Sequence, residues 1–282
     1  MLMKNSNLGN QCRYNLVDGI LHRWAFYLVF ICTSVVFCIW LNAEVKVLNN
    51  FQHLNLIPST MDYLLKFFQG AEVYNPLGNK PFTIPTIWLF LNLYLAFMIA
   101  NYPTHDLQEF GKNIFVRSQT RTAWFVSKCI WNMVTVTIIY ILLYLIILIF
   151  SIVNNNISMR VTPEIADRVL LISNFKQSSD LFIVAILLPP VTSYAISFLQ
   201  MFLEFILKPI YSFVIVVCLL SASAYYYNYF LIGNHSMLLR NEVMLDGGII
   251  TWVAVVIDAA IIAGSIIGGI ICFKRYDVLG KS

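Results

Sequence analysis

Six long apolar segments, separated by short polar stretches, take up more than half of the 282 residues and leave no room for a soluble domain of ordinary size. They run over 24–41, 84–101, 123–153, 181–207, 210–233 and 249–273. Each approaches or exceeds the ~20 residues that cross ~30 Å of hydrocarbon at ~1.5 Å per residue. A backbone facing lipid must satisfy its own hydrogen bonds, and none of these segments shows the ~10-residue alternation of a barrel. The expected fold is therefore an all-α integral membrane protein, a single transmembrane domain over 1–282 with six transmembrane helices. Composition agrees: 11% of residues are charged, against roughly 25% in soluble domains.

Lys4, Arg13 and Arg23 precede the first apolar run, which has no small-residue cleavage site behind it and so reads as a retained span, not a signal peptide. The six cysteines lie in or next to spans, with no candidate pair in an outer loop, and read as small packing residues. The net charge of +4 is spread over loops instead of forming a stripe, which argues against nucleic acid. With the N-terminus inside, eleven Lys and Arg fall on inner segments and seven on outer ones, so the positive-inside rule puts both termini in the cytoplasm. That orientation puts 42–83, 154–180 and 234–248 outside and makes 102–122 the longest inner stretch between spans.

Within that inner stretch, Leu107, Phe110, Ile114 and Phe115 share one helical face, with Gln108, Glu109, Lys112 and Asn113 opposite. Thr104 or Asp106 can cap the helix, and Glu109 stands at capping-box spacing from Asp106. A short amphipathic cytoplasmic helix is expected between spans two and three. Two roles suit it: anchorage to acidic lipid head groups through Arg117, Arg121 and Trp124, or docking of a cytoplasmic motor.

The run YPTHDLQEFGKNIFVRSQTRTAWFVSKCIWN, together with GNHSMLLR at 233–240 and the terminal FKRYDVLGKS, resembles permease subunits of type-2 ATP-binding-cassette exporters, particularly small firmicute ones. The resemblance covers the six-span plan over nearly the whole chain, through loose motifs of which none is catalytic. It implies that 104–116 is a coupling helix docking into the ATPase through Leu107, Glu109, Phe110, Ile114, Phe115 and Arg117, with the turn at 204–209 as a second contact. It also implies two copies of a cytoplasmic ATP-binding subunit, a second permease subunit, identical or homologous, and a Gram-positive plasma membrane. The outer loop 42–83 is longer than the minimal plan requires.

No G-x-x-x-x-G-K-[ST] phosphate loop occurs, so ATP and magnesium would sit on a partner and the chain itself is expected to bind no cofactor. His22, His53, His105 and His235 show no metal-ligand spacing, and no hydrolase motif appears, so the chain is not expected to be an enzyme.

Inside the spans, Asp258 is the single deep acidic residue, and an ionisable group there is costly unless it faces protein or water. It is read as lining a pathway or accepting hydrogen bonds; a proton relay needs a second titratable partner at depth, and none is evident. Pro189 and Pro190 break backbone hydrogen bonds in span four and need shelter. Ala260, Gly264 and Gly268 form a small-residue ridge for close helix packing, inside the subunit or at a dimer interface, and Tyr225, Tyr226, Tyr227 and Tyr229 an interfacial aromatic belt. Thr162-Pro163-Glu164 marks the start of a short surface helix. The expected function is export of an amphipathic or hydrophobic molecule, such as a peptide, antibiotic or lipid-like compound, powered by the separate ATPase. The alternatives are an ATP-independent secondary transporter coupled through Asp258, and a membrane anchor or sensor.

Overall fold

The computed structural model describes residues 8–74, 81–100, 102–103, 121–172 and 178–275. In chain order the helices are α1 (Leu8–Leu16), continued by a π turn over Val17–Leu21, α2 (Trp24–Gln52), α3 (Thr60–Phe68), α4 (Thr86–Ile99), α5 (Arg121–Val153), α6 (Pro163–Arg168), α7 (Leu181–Ile206), α8 (Pro209–Tyr225) and α9 (Thr251–Arg275). Two 3-10 turns, Ile232–Ser236 and Leu238–Arg240, lie between α8 and α9. Among the described residues the sole strand-like pairing is an isolated bridge between Asn241 and Ile249.

Among the described residues four helices, α2, α5, α7 and α9, are long and apolar enough to cross a membrane. The other two expected spans are apolar but shorter, at 14 residues for α4 and 17 for α8. At ~1.5 Å per residue they reach about 21 and 26 Å. The sequence explains both lengths. Pro81 and Pro85 hold off the start of α4. At the end of α8, Tyr226 turns extended, and Asn234 Nδ2 donates to the carbonyls of Tyr226 and Asn228 instead of the helix continuing to 233.

The most buried of the four long helices is α7, which packs against α3, α4, α5, α8 and α9; α9 is the least buried and leans mainly on α7. Both prolines of α7 lie inside a continuous helix, and α5 supplies the shelter they need. Pro190 has no N–H for the carbonyl of Ile186, and the hydroxyl of Tyr144 donates to that carbonyl at 2.7 Å. Tyr140 Oη donates to the Pro189 carbonyl at 3.0 Å, and Ser193 Oγ, 2.7 Å away, then donates to Tyr140.

The small-residue ridge on α9 is placed differently from the sequence reading. Ala260 and Gly264 are exposed, and a Cβ added at Gly264 would meet nothing within 4 Å. The packed face runs through Ala254, Asp258, Ser265 and Gly269, with Gly269 against the Phe125 ring; Gly268 touches Phe202. Asp258 sets this rotation, because a buried carboxylate must find donors and the neighbouring α7 offers one.

The long 42–83 region folds back onto the bundle. His53, in a left-handed conformation, ends α2, and the Asn49 side chain bonds the Leu56 backbone in both directions, at 2.8 and 3.0 Å, which reverses the chain. Then α3 starts with a capping box, Ser59 with Asp62, and buries every residue from Met61 to Phe68 against α2, α4, α5 and α7. We call the end closed by α3 and residues 226–250 the capped end. At the other end α1, absent from the sequence reading, lies along α5: Asn15 Nδ2 donates to Ser127 Oγ at 2.8 Å, and Lys128 Nζ donates to Asn15 Oδ1 at 2.7 Å. The expected helix over 104–116, with Leu107, Glu109, Phe110, Ile114, Phe115 and Arg117, lies outside the described residues.

Candidate functional site at the capped end

The sequence reading expects 210–233 as a span and 234–248 as an outer loop; instead residues 226–250 together form a folded plug. Tyr227 Oη and Tyr229 Oη donate to the carbonyls of Gly247 and Gly248, each at 3.1 Å, so two tyrosines of the expected belt clasp the plug internally. Gly247 takes a positive φ of 79°, and Gly248 lies so close to Asn241 that a Cβ would fall 2.6 Å from its carbonyl carbon. Ile249 N donates to Arg240 O at 2.7 Å and Glu242 N to Ile249 O at 3.0 Å, which closes the loop.

The closure carries His235 down to Asp258. His235 Nδ1 lies 2.7 Å from Asp258 Oδ1, with both side chains fully buried. Asp258 Oδ2 accepts from Thr192 Oγ1 at 2.9 Å, and His235 Nε2 lies 2.8 Å from the Tyr229 carbonyl. That carbonyl can only accept, so Nε2 carries a proton. A second proton must then lie between Nδ1 and Oδ1, since two bare acceptors would not approach to 2.7 Å. Whichever atom holds it, the pair as a whole is neutral. The titratable partner that the sequence reading did not find for Asp258 is therefore His235, 23 residues away.

Arg240 anchors the plug from the other side. Fully buried, its Nε donates to Ala71 O at 2.9 Å, Nη2 to Ala224 O at 2.7 Å and Glu72 O at 3.3 Å. Nη1 faces the carbonyls of Ser223 and Tyr226 and the Asn234 carboxamide oxygen. Three of these carbonyls are C-terminal ones of α8 or its cap, which have no partner in the helix and sit at the negative end of its dipole. Burial pulls the guanidinium down to about 10, which still leaves it charged at neutral pH. One side chain thus ties α8, the plug and the segment after α3 together. Asn234, a match to the glycosylation sequon, is buried in this contact and is no acceptor site.

The third fastening holds α3. Asp62 Oδ2 accepts from Ser59 N and Thr162 Oγ1, each at 2.8 Å, and Oδ1 from Thr162 N at 3.0 Å. Burial pushes this carboxyl up from its ordinary value, and the Ser59 and Thr162 donors oppose that rise. Thr162 also stands at the N-cap of α6, with Pro163 following, as the sequence motif predicts, but its hydroxyl serves Asp62 and not the helix. We expect Asp62→Ala, which strands three donors, to destabilise the protein by about 2–4 kcal/mol, with Thr162→Val costing about half as much. Thermal unfolding in detergent checks both; equal, sub-kilocalorie effects would mean that the contact holds nothing in place.

Among the described residues no group of three or more His, Cys, Asp or Glu is placed to hold a metal ion. Of the positions singled out from sequence, the structure brings Asp258 and, through the Tyr140 and Ser193 pair, Pro189 near this end. Gly264 and Gly268 play no part in it. His235, Arg240, Asp62 and Thr192 were missed as site residues.

A sequence profile described as a protein of unknown function, DUF2705, matches residues 35–279, a range that contains all three fastenings. The chain belongs to the DUF2705 family. Neither a curated protein nor a solved structure matches it. The DUF2705 match runs from within α2 past the end of α9 and so includes α3 and the plug.

Proposed function

We propose that this DUF2705 protein is the transmembrane subunit of an exporter in a bacterial plasma membrane, driven by a separate cytoplasmic ATPase, with the capped end facing outward. The observation that carries the reading is the capped end itself: α3 and the plug close one end of a helical bundle through three polar fastenings, and polar fastenings can be broken and remade. Six crossings, with α4 and α8 as the short ones, put both termini inside. Burial of charge supports that orientation. Lys66 and Arg240 on the outer side and Lys128 on the inner side are buried, so they are not loop charges. Removing them turns eleven against seven into ten against five.

The ATPase enters through the resemblance of 102–132 and its amphipathic pattern. Two ATPase copies and a second permease subunit, identical or homologous, complete the assembly, with ATP and magnesium on the ATPase. ATP favours a closed ATPase pair, and its motion, delivered through 104–116, shifts the bundle between states. Phe110→Asp or Ile114→Asp is expected to weaken ATPase binding at least tenfold with the permease still inserted, as read by co-purification from membranes. Normal binding and transport by both variants would make 104–116 a membrane-surface helix and remove the ATPase from the reading.

A second reading is favoured by one observation. The His235–Asp258 pair gives Asp258 the titratable partner that a proton-coupled secondary transporter requires.

A further inference from the structure

We propose that the part of α7 below Pro190, toward Ile206, swings away from α5 and opens a cleft to water at the level of Asn132 and Gln200. Hydrogen-bonding groups left unmet inside the bundle carry the inference. Asn132 of α5 and Gln200 of α7 are fully buried. Both Nδ2 and Oδ1 of Asn132 lack a hydrogen-bond partner, as does Gln200 Oε1, and none of the three has surface open to water. The contacts above them fix the register. Thr137 pairs with Tyr194, Tyr140 with Ser193 and Tyr144 with the Ile186 carbonyl, so α5 and α7 run antiparallel and Asn132 falls level with the turn that holds Gln200. Gln200 Nε2 reaches across to α4 instead, donating to Ala96 O at 2.8 Å. A buried donor or acceptor without a partner carries a cost that an apolar side chain of similar shape would not. The closed packing is weakened by that cost, and a state that admits water at this level relieves it.

The fold supplies a place to bend. Pro189 and Pro190 give no N–H to the carbonyls one turn earlier in α7, and Tyr140 and Tyr144 of α5 hold the break from outside the helix. These tyrosines pin α7 at the prolines and above them. Toward Ile206, α7 meets α5 through rings, with Phe205 centred 6.0 Å from Trp124 and 5.6 Å from Phe125, and ring contacts can slide without a hydrogen bond to break. Once open, the cleft offers an amide NH₂ and two carboxamide oxygens, which suit water and the uncharged amide or hydroxyl groups of a cargo. Its use rests on the transport reading, which it deepens by naming the helix that moves.

The test uses the full chain alone in nanodiscs, so it holds or fails apart from ATP-driven transport. Ser197, one turn below Ser193 on α7, and Ser151 of α5 are both fully buried, and cysteine replaces either with little change of shape. With the native cysteines replaced by alanine, Ser197→Cys is expected to react with a water-soluble methanethiosulfonate at least tenfold faster than Ser151→Cys. Asn132→Leu, which removes the unmet amide, should slow the Ser197→Cys reaction at least fivefold. In the chain with its native cysteines the same leucine should raise the unfolding temperature by about 2–4 °C, the reverse of what losing a satisfied buried amide does. This second measurement needs no cysteine replacement and decides the matter even if the labelling variants fold poorly. Equal reaction rates at positions 197 and 151, or a fall in the unfolding temperature with Asn132→Leu, would overturn the proposal.

Discussion

Arg240→Met is expected to be the most destabilising single substitution at the capped end, costing about 4–6 kcal/mol and lowering the unfolding temperature by on the order of 10 °C. Methionine matches the apolar stem but leaves the carbonyls of Ala71, Ser223 and Ala224 buried without donors, at ~1–3 kcal/mol each. Against a total stability of ~5–15 kcal/mol, this is enough to prevent accumulation of the folded protein in membranes. Arg240→Lys keeps the charge but offers one point of donation where the guanidinium spans two chain segments, so it should recover less than half of the loss. Size-exclusion and thermal unfolding in detergent measure both. A cost within ~1 kcal/mol for methionine would mean that the plug does not depend on this hub.

The sequence displayed the scaffold because hydrocarbon imposes length and composition on anything that crosses it. The four long helices, the two prolines inside α7 and the start of α6 at Pro163 follow from rules local to a few turns of chain. The capped end follows from pairings between distant segments, and its residues were misassigned for the same reason in each case. Lys66 and Arg240 were counted as loop charges, since nothing local shows that Glu44 and Trp40, or the carbonyls at the end of α8, lie within reach. His235 looked like a loop residue in GNHS because the apolar run through Tyr226–Gly233 reads as more of the fifth span. The signal that was present is Asp258 itself: a deep carboxylate needs donors, and a polar stretch directly before its helix is the nearest supply. Gly264 shows the converse case, since four-residue spacing of small residues gives a ridge but not which partner it faces, and within this chain Gly264 faces none.

Asp258→Asn should leave the fold within about 1 kcal/mol of the parent, whereas Asp258→Leu should cost about 3–5 kcal/mol. The difference follows from the proton count. With Nε2–H given to the Tyr229 carbonyl, a neutral His235 presents Nδ1 as an acceptor, and an asparagine Nδ2 in place of the carboxyl oxygen donates to it. The asparagine oxygen then accepts from Thr192 as the carboxylate does. Leucine strands His235 Nδ1, and His235→Leu strands Asp258; the double leucine variant should therefore cost less than the two singles added, which a double-mutant cycle reads directly. The same pair separates the two transport readings, because asparagine keeps the hydrogen bonds and removes the shared proton. An ATP-driven exporter should retain most of its transport with Asn and lose it with Leu in proteoliposomes containing the partner ATPase. Proton-gradient-driven uptake by the chain alone, abolished by Asp258→Asn at unchanged stability, would sink the exporter reading and make His235 and Asp258 the coupling site.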